Sequence, residues 1–142
     1  LCGNYERLRT YYYNCMPYQS CPPTEDERRR FAAMDKFVYT LRKLPRFEVK
    51  LGRLGCVGGE FIQKRVDIAL AVDLVRLSCG KMIGKAVVVT GDSDFLPAIE
   101  AAKDAGVLVT LYYSQSSIHD ELLSAVDESA VIGQNLISQV TR

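Results

Sequence analysis

The chain has no apolar run near the ~20 residues that a membrane-spanning helix needs. It also lacks the basic, apolar and small-residue succession of a secretory signal peptide. These absences set the expectation of a soluble, cytoplasmic protein with no membrane association. Histidine is nearly missing, with His119 alone beside Asp120 and Glu121 at an expected helix start. One imidazole with nothing resembling a Ser-His-Asp set reads as structural. The five cysteines, Cys2, Cys15, Cys21, Cys56 and Cys79, form no CxxC pair and have no histidine at ligand spacing. Their odd number reads as free thiols in a reducing compartment. Internal repeats and low-complexity segments are absent as well.

Net charge is small, +1, but its distribution is uneven. Residues 1–66 hold 13 Lys/Arg against 7 Asp/Glu, and residues 67–142 hold 5 against 10. Opposite signs in the two halves suit a protein that grips phosphates with one region and cations with another. With 142 residues and 48% hydrophobic content the chain suffices for one globular domain with an ordinary core.

The order of elements follows from periodicity and punctuation. Leu8 to Asn14, aromatic and β-prone, reads as a strand. Thr24 and Glu27 have capping-box spacing, and Phe31, Met34, Phe37, Val38, Leu41 and Leu44 continue a helix toward Pro45. Phe47 to Leu51 alternates as a strand, and the four glycines between Gly52 and Gly59 predict a loop. A second, well-buried helix is expected from Gln63 to Cys79, then a central parallel strand over the apolar run Ala86–Thr90. A helix over Phe95–Ala105 stops at Gly106, and Val107–Tyr113 is the next strand. A helix over Ile118–Val126, a short strand at Ala130–Ile132 and a C-terminal helix complete the reading. Helices alternating with apolar strands indicate an α/β fold with a mainly parallel sheet.

The segment Thr90-Gly91-Asp92-Ser93-Asp94 falls where a buried strand ends and a helix begins. Ligands of open parallel sheets bind at the carboxyl ends of strands, and two acids one residue apart can face a common cation. Such hard oxygen donors suit Mg²⁺ or Mn²⁺. Helix capping by Asp92 or Ser93 is the simpler alternative. Upstream, Lys64-Arg65-Val66-Asp67 is expected to open the second helix, with Asp73 six residues further on and about 120° around an ideal helix. Asp67 is the better metal candidate of the two, leaving Asp73 to support the site or hold a basic partner. Lys64 and Arg65 are placed to meet phosphate, with Arg28-Arg29-Arg30, Arg53 and Lys81 as a weaker extension of the track. The hydroxyls of Ser93, Ser114 and the following Ser116 and Ser117 are further phosphate candidates, although Ser116 or Ser117 also suits capping of the next helix. Tyr11, Tyr12 and Tyr13 offer rings for base stacking, with at least one expected to face the core.

Taken together, Lys64-x-Val66-Asp67, Asp73, Val88-Val-Thr-Gly-Asp-Ser-Asp-Phe-Leu-Pro97 and Gly106-Val-Leu-Val109 resemble the NYN family. These are PIN-like nuclease domains, also grouped with LabA-like proteins. The likeness runs from about Lys64 to Ile132, with weaker agreement at Arg9-Thr-Tyr-Tyr-Tyr13. It implies a three-layer α/β/α sandwich and divalent-metal-dependent hydrolysis of RNA phosphodiester bonds. By motif, Asp67, Asp92 and Asp94 would be the catalytic, metal-binding acids with Asp73 beside them, and RNA the partner; a homodimer is left open. Family members usually open with an apolar strand ending in Asp. The chain begins Leu1-Cys2-Gly3-Asn4-Tyr5, so the expectation is one PIN-like domain over 1–142 lacking its first strand. The alternative function is a non-catalytic RNA- or protein-binding module with an incomplete metal site. A phosphatase of another α/β family, where Gly-Asp-x-Asp also occurs, lacks its nucleophilic Asp strand here.

Overall fold

The computed structural model describes residues 2–57, 60–64, 66–116 and 118–140. The chain divides into two compact units, one of residues 7–70 and one of residues 1–6 with 71–142. Each is built around its own three-stranded sheet.

In the 7–70 unit, β1 (Thr10–Cys15) runs parallel to β2 (Phe47–Val57), and β2 pairs antiparallel with β3 (Glu60–Lys64). The crossover between β1 and β2 is α1 (Glu25–Arg42), which packs on β2. Its start is the expected capping box. The Glu27 N–H donates to the Thr24 hydroxyl at 3.3 Å, and the Thr24 N–H donates to the Glu27 carboxylate at 2.8 Å. Glu27 reaches further than its spacing announces, accepting from both the N–H and the hydroxyl of Ser20, at 3.2 and 2.6 Å. Those bonds hold the Glu27 carboxyl down at about 2. The strand side chains divide between faces as the β period requires. Tyr12 meets Phe37 of α1 edge-on at 5.7 Å, while Tyr11 and Tyr13 lie stacked at 6.2 Å with Lys50 5.4 Å from the Tyr11 ring.

Two expectations fail in this unit. Of the expected loop over Gly52–Gly59, the part as far as Val57 is strand, with Gly55 paired to Ile62, and Gly58 and Gly59 lie outside the described residues. Glycine weakens a strand, but a neighbouring ladder outweighs local preference. Gln63 and Lys64 accordingly belong to β3, and the following helix, α2 (Val66–Cys79), begins later than expected. Lys64 and Asp67 are therefore not neighbours on one helix.

The other unit contains β4 (Lys85–Val89), β5 (Leu108–Tyr113) and β6 (Glu128–Val131), all parallel, in the order β4-β5-β6. The crossovers are α3 (Leu96–Asp104), entered through a one-turn 3₁₀ helix at Ser93–Phe95, and α4 (Asp120–Ala125); α5 (Gln134–Val140) follows β6. α3 packs on β5 and on α4. Ile99, Leu111, Leu122 and Val109 are fully buried and make the core. At about 1.5–3 kcal/mol for each large side chain removed from water, this cluster is the main stabilising term of the unit. Among the described strands β4 is an edge of this sheet, not its centre: Ala86 and Val88 are buried, whereas Val89 is 58% exposed. A short β-branched run looks the same at either position, and only its pairing distinguishes them. α2 is likewise less covered than its apolar content suggests. Leu74 and Leu77 are buried, but Ile68 and Val72 are exposed.

Parallel strands joined by helices bear out the mixed α/β expectation. The described strands form two small sheets. Among the described residues, no helix is long and apolar enough to cross a membrane.

Candidate functional site

The loop after β4 is built by three successive bonds donated by backbone N–H groups, one to a carbonyl and two to side-chain oxygens. The Thr90 N–H donates to the Tyr112 carbonyl at 3.2 Å, extending the β4–β5 ladder past the strand end. The Asp92 N–H then donates to the Thr90 hydroxyl at 3.1 Å, and the Asp94 N–H donates to Asp92 Oδ1 at 2.9 Å. Asp92 thus caps the 3₁₀ turn from an extended backbone, φ −88° and ψ 121°. Directly behind it Phe95 is only 5% exposed and anchors the turn, and Pro97 suits the first turn of α3. The result is a short loop tied at both ends, with Asp92 and Asp94 exposed between them and Ser93 half-buried.

The capping explanation for Asp92 is therefore realised, and it leaves room for a second role. A carboxylate has about four lone-pair sites, and one N–H occupies one of them. Asp94, in the same turn, is exposed too. Mg²⁺ is bound through one or two carboxylates while it keeps several waters, so the donor set of this loop fits such an ion chemically. Among the described residues, no group of three or more His, Cys, Asp or Glu side chains is gathered to hold a metal.

The remaining candidates are placed as follows. Asp67 is exposed in the first turn of α2, where the helix dipole favours an acid. Its charge reaches Cys15, the last residue of β1; burial first and Asp67 second push the Cys15 thiol upward. Asp67 thus lies toward the carboxyl end of β1 in its own unit, as Asp92 and Asp94 lie at the carboxyl end of β4 in theirs. Asp73 is different. It is 6% exposed, and its carboxylate is 3.4 Å from Arg76, so it is the acid that holds a basic partner. Lys64 ends β3, Arg65 lies outside the described residues, and the side chains of Lys64 and Arg53 do too. Of the extended basic track, Arg28 pairs with Glu25, and Arg29 and Arg30 pair with Asp26. Those pairs are solvent-exposed helix-surface contacts worth under ~1 kcal/mol. Lys81 is exposed. His119 is the cap residue of α4 and makes no side-chain cap bond.

Ser114 follows β5 at the same sheet edge, and its hydroxyl lies 3.0 Å from that of Ser116. Both serines are exposed. Ser116 does not cap α4, because His119 holds the cap position. The sequence marks the hydroxyls of Ser114 and Ser116 together as phosphate candidates, with capping as the alternative for Ser116; their i, i+2 spacing just beyond a strand is the signal that pairs them.

The model of the NYN domain family matches residues 4–133 of the chain. An uncharacterized protein of Sinorhizobium fredii is 36% identical over 64 residues, a stretch that covers 45% of this chain and 29% of that relative. The chain thus spans under a third of the length of that curated relative. A crystal structure of a Vibrio parahaemolyticus protein of unknown function has a similar fold, with a TM-score of 0.61 at 21% identity. That likeness covers 72% of this chain and 62% of the other.

Proposed function

Because this chain belongs to the NYN domain family, whose members are typically nucleases, we propose that it is a divalent-metal-dependent ribonuclease. The observation that carries this reading is the Asp92–Asp94 loop, two exposed acids on an anchored turn at the carboxyl end of a parallel strand. In this reading Asp92 and Asp94 hold Mg²⁺ or Mn²⁺. Such an ion, when held there, would lower the pKa of a bound water and neutralise charge on the leaving oxygen. By the family pattern Asp67 is a further catalytic acid. Asp73 keeps Arg76 in place, and Lys64, Arg65 and Ser93 meet the phosphates. The three-layer α/β/α arrangement of the sheet and helices belongs to the same proposal.

The chemistry left to the protein is positional. The bond from the Asp94 N–H to the Asp92 carboxylate fixes the loop before substrate arrives, so little is lost in ordering it during reaction. The test is cleavage of a labelled RNA with Mg²⁺ or Mn²⁺ by wild type, Asp92→Asn and Asp94→Asn. A fall of at least about a hundredfold in each variant, with loss of activity in chelator, is expected from removing a metal-holding charge. Equal activity in all three proteins would sink the assignment.

One observation favours a second reading, a non-catalytic RNA- or protein-binding module of the same fold. Asp92 Oδ1 is engaged as an ordinary cap. RNA bound by wild type with salt-sensitive affinity but never cut with either metal would select it.

A further inference from the structure

We propose that the Ser114–Ser116 pair reads the ribose 2′-hydroxyl of the substrate and is a specificity-determining element for RNA over DNA. The inference rests on the nuclease reading of the Asp92–Asp94 loop. The placement comes from the sheet. β4 and β5 are adjacent and parallel, with Val89 beside Tyr112, and the Thr90 N–H bonds the Tyr112 carbonyl. The loops that follow the two strands therefore leave the same edge side by side. They lead into α3 and α4, which touch each other.

The chemistry of the pair then narrows the ligand. Each serine hydroxyl carries one proton and two acceptor lone pairs. Within the Ser114–Ser116 bond at 3.0 Å one proton is consumed, whichever residue donates it. What the pair presents outward is one donor together with acceptor lone pairs. A phosphate oxygen only accepts, so it would use half of that offer. A 2′-hydroxyl is neutral, donates and accepts, and is the group by which a protein distinguishes RNA from DNA at a given site. The hydroxyl of Ser116 has no capping duty to compete with this, since His119 takes the cap of α4.

The test compares affinities for single-stranded RNA and DNA of one sequence, measured with Mg²⁺ for wild type and for Ser114→Ala/Ser116→Ala. Cleavage rates of the same two oligonucleotides are followed in parallel. Wild type is expected to prefer RNA, and the double variant to lose roughly tenfold of that preference, the scale of one or two hydrogen bonds. The hydroxyl-retaining Ser116→Thr should keep most of it. A ratio unchanged in the double variant overturns the proposal. So does an equal loss on RNA and DNA, which would mark the pair as a phosphate contact or a structural one. Failure of the nuclease reading is seen separately, as wild type that binds RNA and cuts neither oligonucleotide; the affinity ratio still decides the role of the serines.

Discussion

The Asp92 carboxylate holds the Asp94 N–H at 2.9 Å, so substitutions there act on the loop as well as on any bound cation. Asn caps as well as Asp, whereas Ala costs about 1 kcal/mol at such a position. Asp92→Asn should therefore leave the melting temperature close to wild type while removing the charge, and Asp92→Ala should lower it; calorimetry on the two variants separates the roles. Glu27 gives a pH dependence at the same scale. Its folded carboxyl is held down at about 2, first by the Ser20 hydroxyl and then by the Thr24 N–H, against an ordinary value of 4.5. A depressed acid contributes stability that is complete above its unfolded value and is lost as pH falls through the folded one. Wild type should thus melt above Glu27→Gln at pH 5 and higher, with the gap closing between about pH 4.5 and 2. A gap independent of pH across that window would show that charge on Glu27 is not what pins Ser20.

At the scale of elements, the end of α3 shows what a local signal can specify. Gly106 takes φ +86° and donates to Lys103, while Val107 donates to Ala102 at 3.1 Å. This 6→1 and 5→2 pair is the Schellman stop, legible from Gly106 alone. A Cβ built at Gly106 meets nothing within 4 Å, so Gly106→Ala should cost only the left-handed backbone term, about 1–2 kcal/mol in denaturant unfolding. A much larger loss would point to crowding. The capping box of α1 is equally legible, because its bonds join residues three apart in sequence. Lys64, Gly52 and Gly55 are not. They are strand because β2 and β3 lie against each other from Arg53–Lys64 to Val57–Glu60, and nothing within either segment announces that partner.

Across the whole molecule, the charge imbalance between sequence halves follows the structural division closely. The unit of residues 7–70 carries 13 Lys/Arg against 7 Asp/Glu, and the other carries 5 against 10. If RNA is the partner, its affinity should fall as salt rises. For as few as three phosphate contacts the loss between 50 and 200 mM salt would be roughly tenfold or more. A filter-binding or polarisation titration at two salt concentrations reads this, and a flat response would remove phosphate recognition from the proposal.

The acidic loop is visible in the chain before any fold is known. Thr90 to Asp94, bracketed by a β-branched run and a helix signal, needs only short-range order to turn at a strand end, and its hydrogen bonds span two residues. Sequence by itself likewise determined the alternation of helices and strands, the caps, and the family. Tertiary structure decided what depends on partners distant in the chain. Among the described strands it made β4 an edge, left Ile68 and Val72 exposed, and buried Asp73. The physical reason is common to all three. Apolar pattern and turn chemistry report a residue's local preference, whereas burial and pairing are properties of what packs against it.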